Sequence, residues 1–313
     1  MAHREKQPQR TVLTVGGNAL IRPGEEGSIQ EQWQRALTLA LIISELPEDE
    51  QLVLTHGNGP QVGRILLRSD LCSAEVPEVP IDVAVAGTQG QMGMMLQQAI
   101  ESIAKRPTIT ILTQVLVDAS DPEFQKPQKF IGRFYSKEEA ETKSVNFGWI
   151  VKEDPGRGWR RVVASPQPHE ILEKDAIHTL LRQGFTVIAC GGGGVPVIRH
   201  GEHLVGVEAV VDKDRSSALL AHLVKANRLV CLTGVDEVMV DFGTDQARPI
   251  HQASLLDMEA HLKDGQFPEG SMAPKIRSAL QFLRVGGDEV IITSPEKLGD
   301  ALQGNAGTHI YAK

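Results

Sequence analysis

The chain has 313 residues, 41% hydrophobic and 23% charged; at about 150 residues per domain it makes one large domain or two small ones, with enough apolar content for a substantial core. Lysine and arginine number 32 against 40 aspartates and glutamates, a net charge of −8. That balance disfavours a strongly basic nucleic-acid binder, and the composition excludes collagen, coiled coil and general disorder.

Apolar runs at 11–15, 51–55, 108–116, 185–190, 228–233 and 289–293 are continuous rather than alternating. This is the pattern of strands buried on both faces of a parallel sheet. Between them, helical spacing of apolar residues predicts helices over 28–46, 88–103, 169–182, 216–226, 255–262 and 274–283. The alternation predicts an α/β fold with a largely parallel central sheet. One stretch differs. Residues 126–161 hold nine basic and five acidic side chains, and six of the 13 aromatics. They read as a small inserted, hairpin-like subdomain, basic on one face.

No apolar run reaches the roughly 18 residues of a membrane span. The polar start MAHREKQPQR lacks the apolar stretch of a signal peptide, so a cytoplasmic protein without membrane association is expected. Cys72, Cys190 and Cys231 are far apart and read as reduced, mostly structural thiols. His200 and His203 lie in a glycine-containing loop and make no convincing zinc pair. Asp118, Asp121 and Asp236 could touch a magnesium–nucleotide, though their spacing does not single them out.

The carboxyl ends of the strands are distinctive. The first strand runs into Gly16-Gly17-Asn18, the second into His56-Gly57-Asn58-Gly59-Pro60, the fourth into Gly191-Gly192-Gly193-Gly194. Ligands of open α/β sheets bind at the carboxyl ends of the strands, and glycine-rich turns beside helix starts present free amides to anions. Three such loops point to one site for a phosphate-rich ligand rather than to three tight turns. A P-loop, a complete dinucleotide fingerprint and a GxSxG elbow are all absent.

Asp212-Lys213-Asp214 opens a helix. A lysine between two aspartates beside a glycine-rich site suits a transferring phosphoryl group, with Asp214 orienting neighbouring lysines. Asp212 alone reads as a helix-dipole partner. In Gly270-Ser271-Met272-Ala273-Pro274-Lys275 the proline suits the first helical position, which leaves Lys275 in a first turn where a cation is locally unfavourable. Lys129, in the basic stretch, is the third candidate.

Together these motifs, with Gly158–Val163 and Glu208-Ala209-Val210-Val211, resemble carbamate kinase, a branch of the amino acid kinase superfamily, in order from about Thr11 onward. The resemblance implies a three-layer α/β/α sandwich, with one domain over 9–313. Its N-terminal lobe (9–210) would serve substrate and dimerisation, its C-terminal lobe (211–313) nucleotide, and 126–161 would be a lid. It implies a homodimer and the reversible reaction ATP + carbamate = ADP + carbamoyl phosphate with Mg²⁺, often running toward ATP. Lys129, Lys213 and Lys275 would stabilise the transferring group, organised by Asp214. Gly16, Gly17, Asn18, Gly57, Asn58, Gly59, Gly191, Gly192 and Gly193 would hold phosphoryl group and substrate. Asp212, Lys213, Thr233, Val235, Val238, Met272, Ala273 and Lys275 would bind nucleotide. Carbamate is already anionic, so no general base is needed. The chain departs from the family's usual pattern at Phe130, Met94, Ala164 and Gly234, the mark of a divergent subgroup. The alternatives are a kinase for another small carboxylate and a non-catalytic sensor of ADP or carbamoyl phosphate; retention of the transfer lysines argues against the sensor.

Overall fold

A computed structural model describes residues 9–16 and 26–313. Strand β1 (Arg10–Val15) leads through α1 (Ile29–Ile43) to β2 (Gln51–His56), α2 (Gly59–Leu71) and the long α3 (Ile81–Ile103). Strands β3 (Thr108–Thr110) and β4 (Gln114–Val117) precede an excursion of β5 (Lys129–Tyr135), α4 (Lys137–Phe147), β6 (Val151–Asp154) and β7 (Gly158–Val163). Next come β8 (Pro168–Ile171), α5 (Lys174–Arg182), β9 (Thr186–Ile188), the hairpin β10 (Val195–His200) and β11 (His203–Gly206), α6 (Lys213–Leu223) and β12 (Arg228–Leu232). The chain closes with β13 (Val238–Val240), β14 (Arg248–Ile250), β15 (Gln252–Ser254), α7 (Leu255–Lys263), α8 (Met272–Arg284), β16 (Glu289–Thr293), α9 (Leu298–Leu302) and β17 (Thr308–Tyr311).

Eight strands form the central sheet in the order β15-β17-β16-β12-β1-β2-β9-β3. All its pairings are parallel except β16 with β17. Alternate residues of each strand bury on opposite faces, which is why the runs read as continuously apolar. Leu13, Leu54, Val230 and Ile291 pack against α1, α3 and α9. Val12, Val53, Leu229 and Val290 pack against α5, α6, α7 and α8. The result is a three-layer α/β/α sandwich.

Several elements differ from their sequence reading. The run at 108–116 breaks into β3 and β4, which enter different sheets. Gln89 on α3 enforces the break: its amide donates to the Thr113 carbonyl (3.1 Å) and its side-chain oxygen accepts from the Thr113 amide (2.8 Å). Residues 168–171 are a strand rather than the start of a helix, because they pair antiparallel with β4. Helix α3 begins seven residues before the expected 88; its glycines obscure the pattern, and Gly93 is needed where a Cβ would lie 2.2 Å from the Thr110 side chain. Pro274 is the third residue of α8, not the first. Cys190 and Cys231 are buried and their thiols are pushed up by burial. Cys72 is exposed, because it caps the end of α2 rather than facing a core.

Residues 129–163 build a three-stranded antiparallel sheet, β5-β7-β6, carrying α4. Its cations lie over its aromatic rings: Arg133 over Tyr135, Arg160 over Phe134 and Arg161 over Trp149, at 4.5, 4.9 and 4.8 Å from the ring centres. A stretch without a long apolar run thus gains cohesion from cation–π contacts. Asp70 at the end of α2 takes ion pairs from Lys143 and Arg133, tying the excursion to the body.

Candidate active site

Strand β1 sits between β12 on one side and β2 and β9 on the other. The carboxyl ends of these parallel strands therefore open onto one edge, where strand order diverges about β1. Gly16 comes directly after β1, and its amide donates to the Leu232 carbonyl at the end of β12 (3.2 Å). Gly57 comes directly after β2, and its amide donates to the Val15 carbonyl (2.9 Å). Gly17 and Asn18 lie outside the described residues.

The loop after β9 is locked by its neighbours. Cys190 takes a left-handed φ of 51° and its amide donates to the Thr113 hydroxyl (3.0 Å). At Gly192, φ is 67° and a Cβ would fall 2.0 Å from the Asn58 amide; at Gly193, φ is 96° and a Cβ would fall 2.2 Å from the Val211 carbonyl oxygen. Both conformation and close approach require glycine there. His56 packs against Gly191 in the same way. Asn58 leads into α2, but its side chain donates to Thr88 (2.8 Å) instead of capping that helix. Gly59 opens α2, with no atom within 4 Å of a notional Cβ.

Opposite these loops stand the charged groups. Asp212 N-caps α6, accepting from the Asp214 amide (2.9 Å). That places Lys213 and Asp214 in the first turn. The Lys213 ammonium donates to Asp214 Oδ1 (2.5 Å) and to the Thr14 hydroxyl of β1 (3.1 Å). Lys275, in the first turn of α8, donates to Asp214 Oδ2 (2.8 Å). Lys129, at the start of β5, donates to Asp212 Oδ2 (3.0 Å). The four candidates Lys129, Lys213, Asp214 and Lys275 thus meet through two carboxylates.

Burial alone would raise the Asp214 carboxyl, but Lys213 and Lys275 outweigh it and hold the group well below the usual carboxylate range. Burial would lower the Lys275 ammonium, yet Asp214 overcomes this and raises it. Asp212 is likewise pushed up by burial and carried below its ordinary value by Lys129. Asp212, Asp214 and Lys275 are thereby held in their charged forms: lysines fixed in position by carboxylates, an arrangement that stabilises charge on a transferring anion.

Thr233 is half-buried, and its amide donates to the Thr293 carbonyl (2.9 Å). Val235 is exposed and Met272 partly buried, while Val238 and Ala273 pack in the core, so only their backbones can face a ligand. Asp118 accepts from Ser120, and Asp121 caps the turn at Pro122–Phe124. Asp236 is exposed. His200 and His203 face each other at the exposed turn between β10 and β11. Among the described residues no three histidine, cysteine or carboxylate side chains converge as a metal site, and no helix is long and apolar enough to cross a membrane.

Sequence reasoning missed the buried hydroxyls behind the lysines. Ser217 donates to the Lys213 carbonyl (2.7 Å) and is 2.7 Å from Thr55; Ser216 donates to the Gly193 carbonyl (2.7 Å). Serine next to a charged helix start reads as solvent-facing. The available signal was the Ser216-Ser217 pair just after Asp212-Lys213-Asp214.

A parallel α/β sheet with amide-rich loops facing three lysines at one strand edge defines a phosphotransferase. The chain belongs to the amino acid kinase family, which matches residues 9–294. Its relatives along nearly the whole chain include carbamate kinases. That of Thermococcus kodakarensis is 42% identical, over 96% of this chain and 99% of its own. A carbamate kinase-like protein of Escherichia coli is 44% identical, over 96% and 98%. The solved carbamate kinase of Giardia lamblia bound to AMP-PNP superposes with a TM-score of 0.92 at 38% identity, covering 97% of this chain and 99% of that one.

Proposed function

We propose that the protein is a carbamate kinase, moving a phosphoryl group between ATP and carbamate, with carbamoyl phosphate and ADP as the opposite pair. The carrying observation is the double pairing of Asp214 with Lys213 and Lys275 at the strand edge. Carbamate brings its own negative oxygen, so bond formation to phosphorus needs no base. As that bond forms, the bond from the γ-phosphorus to the ADP oxygen breaks. Charge spreads over the equatorial oxygens, where Lys213 and Lys275 meet it, joined by Lys129 from β5.

The amides of Gly16, Gly57, Gly59 and Gly191–Gly193, with Gly17, Asn18 and Asn58, would hold the transferred group and the small acid. Residues 233–240 and 272–275, with Asp212, would line the nucleotide. Mg²⁺ would enter on the nucleotide phosphates, since this ion is commonly held by one or two carboxylates plus substrate oxygens and water. Residues 126–161 would act as a lid that delivers Lys129. The chain would work as a homodimer, as its resemblance to carbamate kinases implies.

The test is to mix the full chain with ADP, Mg²⁺ and carbamoyl phosphate and measure ATP, with acetyl phosphate alongside. Rapid ATP from carbamoyl phosphate alone is the expected result. No ATP, with ADP still bound, would shift the assignment to another carboxylate or to a sensor.

A further inference from the structure

A groove of about 820 Å³ runs along α7 and α8 and reaches Arg215 at the start of α6. Arg215, Lys263, Arg277 and Arg284 line it, against one lining carboxylate, Glu259. On a chain with net charge −8 this reverses the local sign. Glu259 accepts from Arg284 (2.5 Å), and Glu269, outside the lining, accepts from Arg277 (2.5 Å). Arg215 donates to the Ser165 carbonyl (3.2 Å), leaving the rest of its guanidinium for a ligand.

A second, independent observation comes from the floor. Ser278 lines the groove, is 2% exposed, and its hydroxyl has no hydrogen-bond partner among the described residues. An unpaired buried hydroxyl is a standing cost in free energy. One wall is apolar, with Leu256 72% exposed and Leu280 behind it. Guanidinium forks recognise phosphate bidentately, and the volume lies within the range for small-molecule sites.

We propose that this groove is a second ligand site, taking a nucleoside phosphate with its phosphates at the arginines and its base on the apolar wall. Arg215 is the neighbour of Asp214 in the chain and Pro274, also in the lining, is the neighbour of Lys275, so the groove and the transfer centre share the starts of α6 and α8. The site is independent of the small acid phosphorylated, but counting it as a second one rests on the proposed kinase reading.

Calorimetric titration of the full chain with AMP-PNP and Mg²⁺ tests it. Two equivalents per chain are expected. Arg277→Gln combined with Arg284→Gln should weaken the second equivalent by about tenfold or more and leave the first, and turnover at saturating substrate, unchanged. Both arginines are at least half-exposed, at 50% and 58%, so the variant retains its fold. A single equivalent that the double variant leaves unchanged, or two unchanged equivalents in the double variant, would overturn the proposal; a single equivalent that the double variant weakens would instead count against the kinase reading.

Discussion

The ammonium of Lys275 stands 2.8 Å from Oδ2 of Asp214, although 61 residues separate the two. Lys213 occupies the other oxygen of the same carboxylate at 2.5 Å. One anion therefore spaces two cations, at 8% side-chain exposure for Asp214. Two helix starts that would each repel a lysine instead present both to a common point.

Replacing either lysine removes one preorganised donor. Lys213→Ala and Lys275→Ala should each lower kcat by roughly 10²-fold or more. Steady-state ATP formation measures this, and a near-normal rate in either variant would remove that lysine from the transfer step.

Asp214→Asn should damage both activity and stability, since it leaves two mostly buried ammoniums without their partner. Breaking a buried pair costs about 3–5 kcal/mol. Urea unfolding at pH 7 reads the stability term directly. A midpoint equal to that of the unaltered chain would mean that the lysines relax into water.

Lys129 differs because it is tied to Asp212 from a separate small sheet and is 41% exposed. Lys129→Ala should raise KM for carbamoyl phosphate as well as lower kcat. If neither changes, the excursion over 129–163 does not act as a lid.

His56 supplies a pH test. Burial pushes its imidazole down to about 4, and the Lys213 charge adds to that shift. The neutral ring is the folded form, and the unfolded chain takes up the proton first. Its contribution to stability is therefore whole above the unfolded value near 6.5 and declines as pH falls from 6.5 to about 4. Relative to His56→Gln, the unaltered protein should lose up to about 3 kcal/mol across that window. Parallel stability curves for the two proteins would show that the buried ring is already protonated.

The glycine loop makes a sharper steric case. Gly193→Ala puts a methyl group into the Val211 carbonyl and forces alanine to a φ of 96°. Loss of most activity is expected. Gly59→Ala meets no atom within 4 Å, so its helix should form normally. Circular dichroism and turnover together separate loop distortion from unfolding.

Much of this was legible in local sequence. Continuous apolar runs and helical spacing mark the alternating elements because burial imposes those periods on neighbouring residues. The glycine loops and the Asp212-Lys213-Asp214 run are likewise local, and each marks a strand end or a helix start. Residues 129–163 were harder, since cation–π contacts such as Arg161 over Trp149 leave no periodic trace. Helix α2 was hidden behind Gly57-Asn58-Gly59-Pro60, which reads as loop.

Only the tertiary structure could decide which of these signals share a site. Parallel pairing of β12, β1, β2 and β9 brings their carboxyl ends to one edge, and the packing of α6 on α8 brings Lys213 and Lys275 to one carboxylate. It also withdrew the Val238 and Ala273 side chains into the core and left Ser278 unpaired on the floor of a cationic groove. Composition and periodicity report what each segment must bury. Which buried faces meet depends on strand order and helix packing over distances the local pattern does not encode.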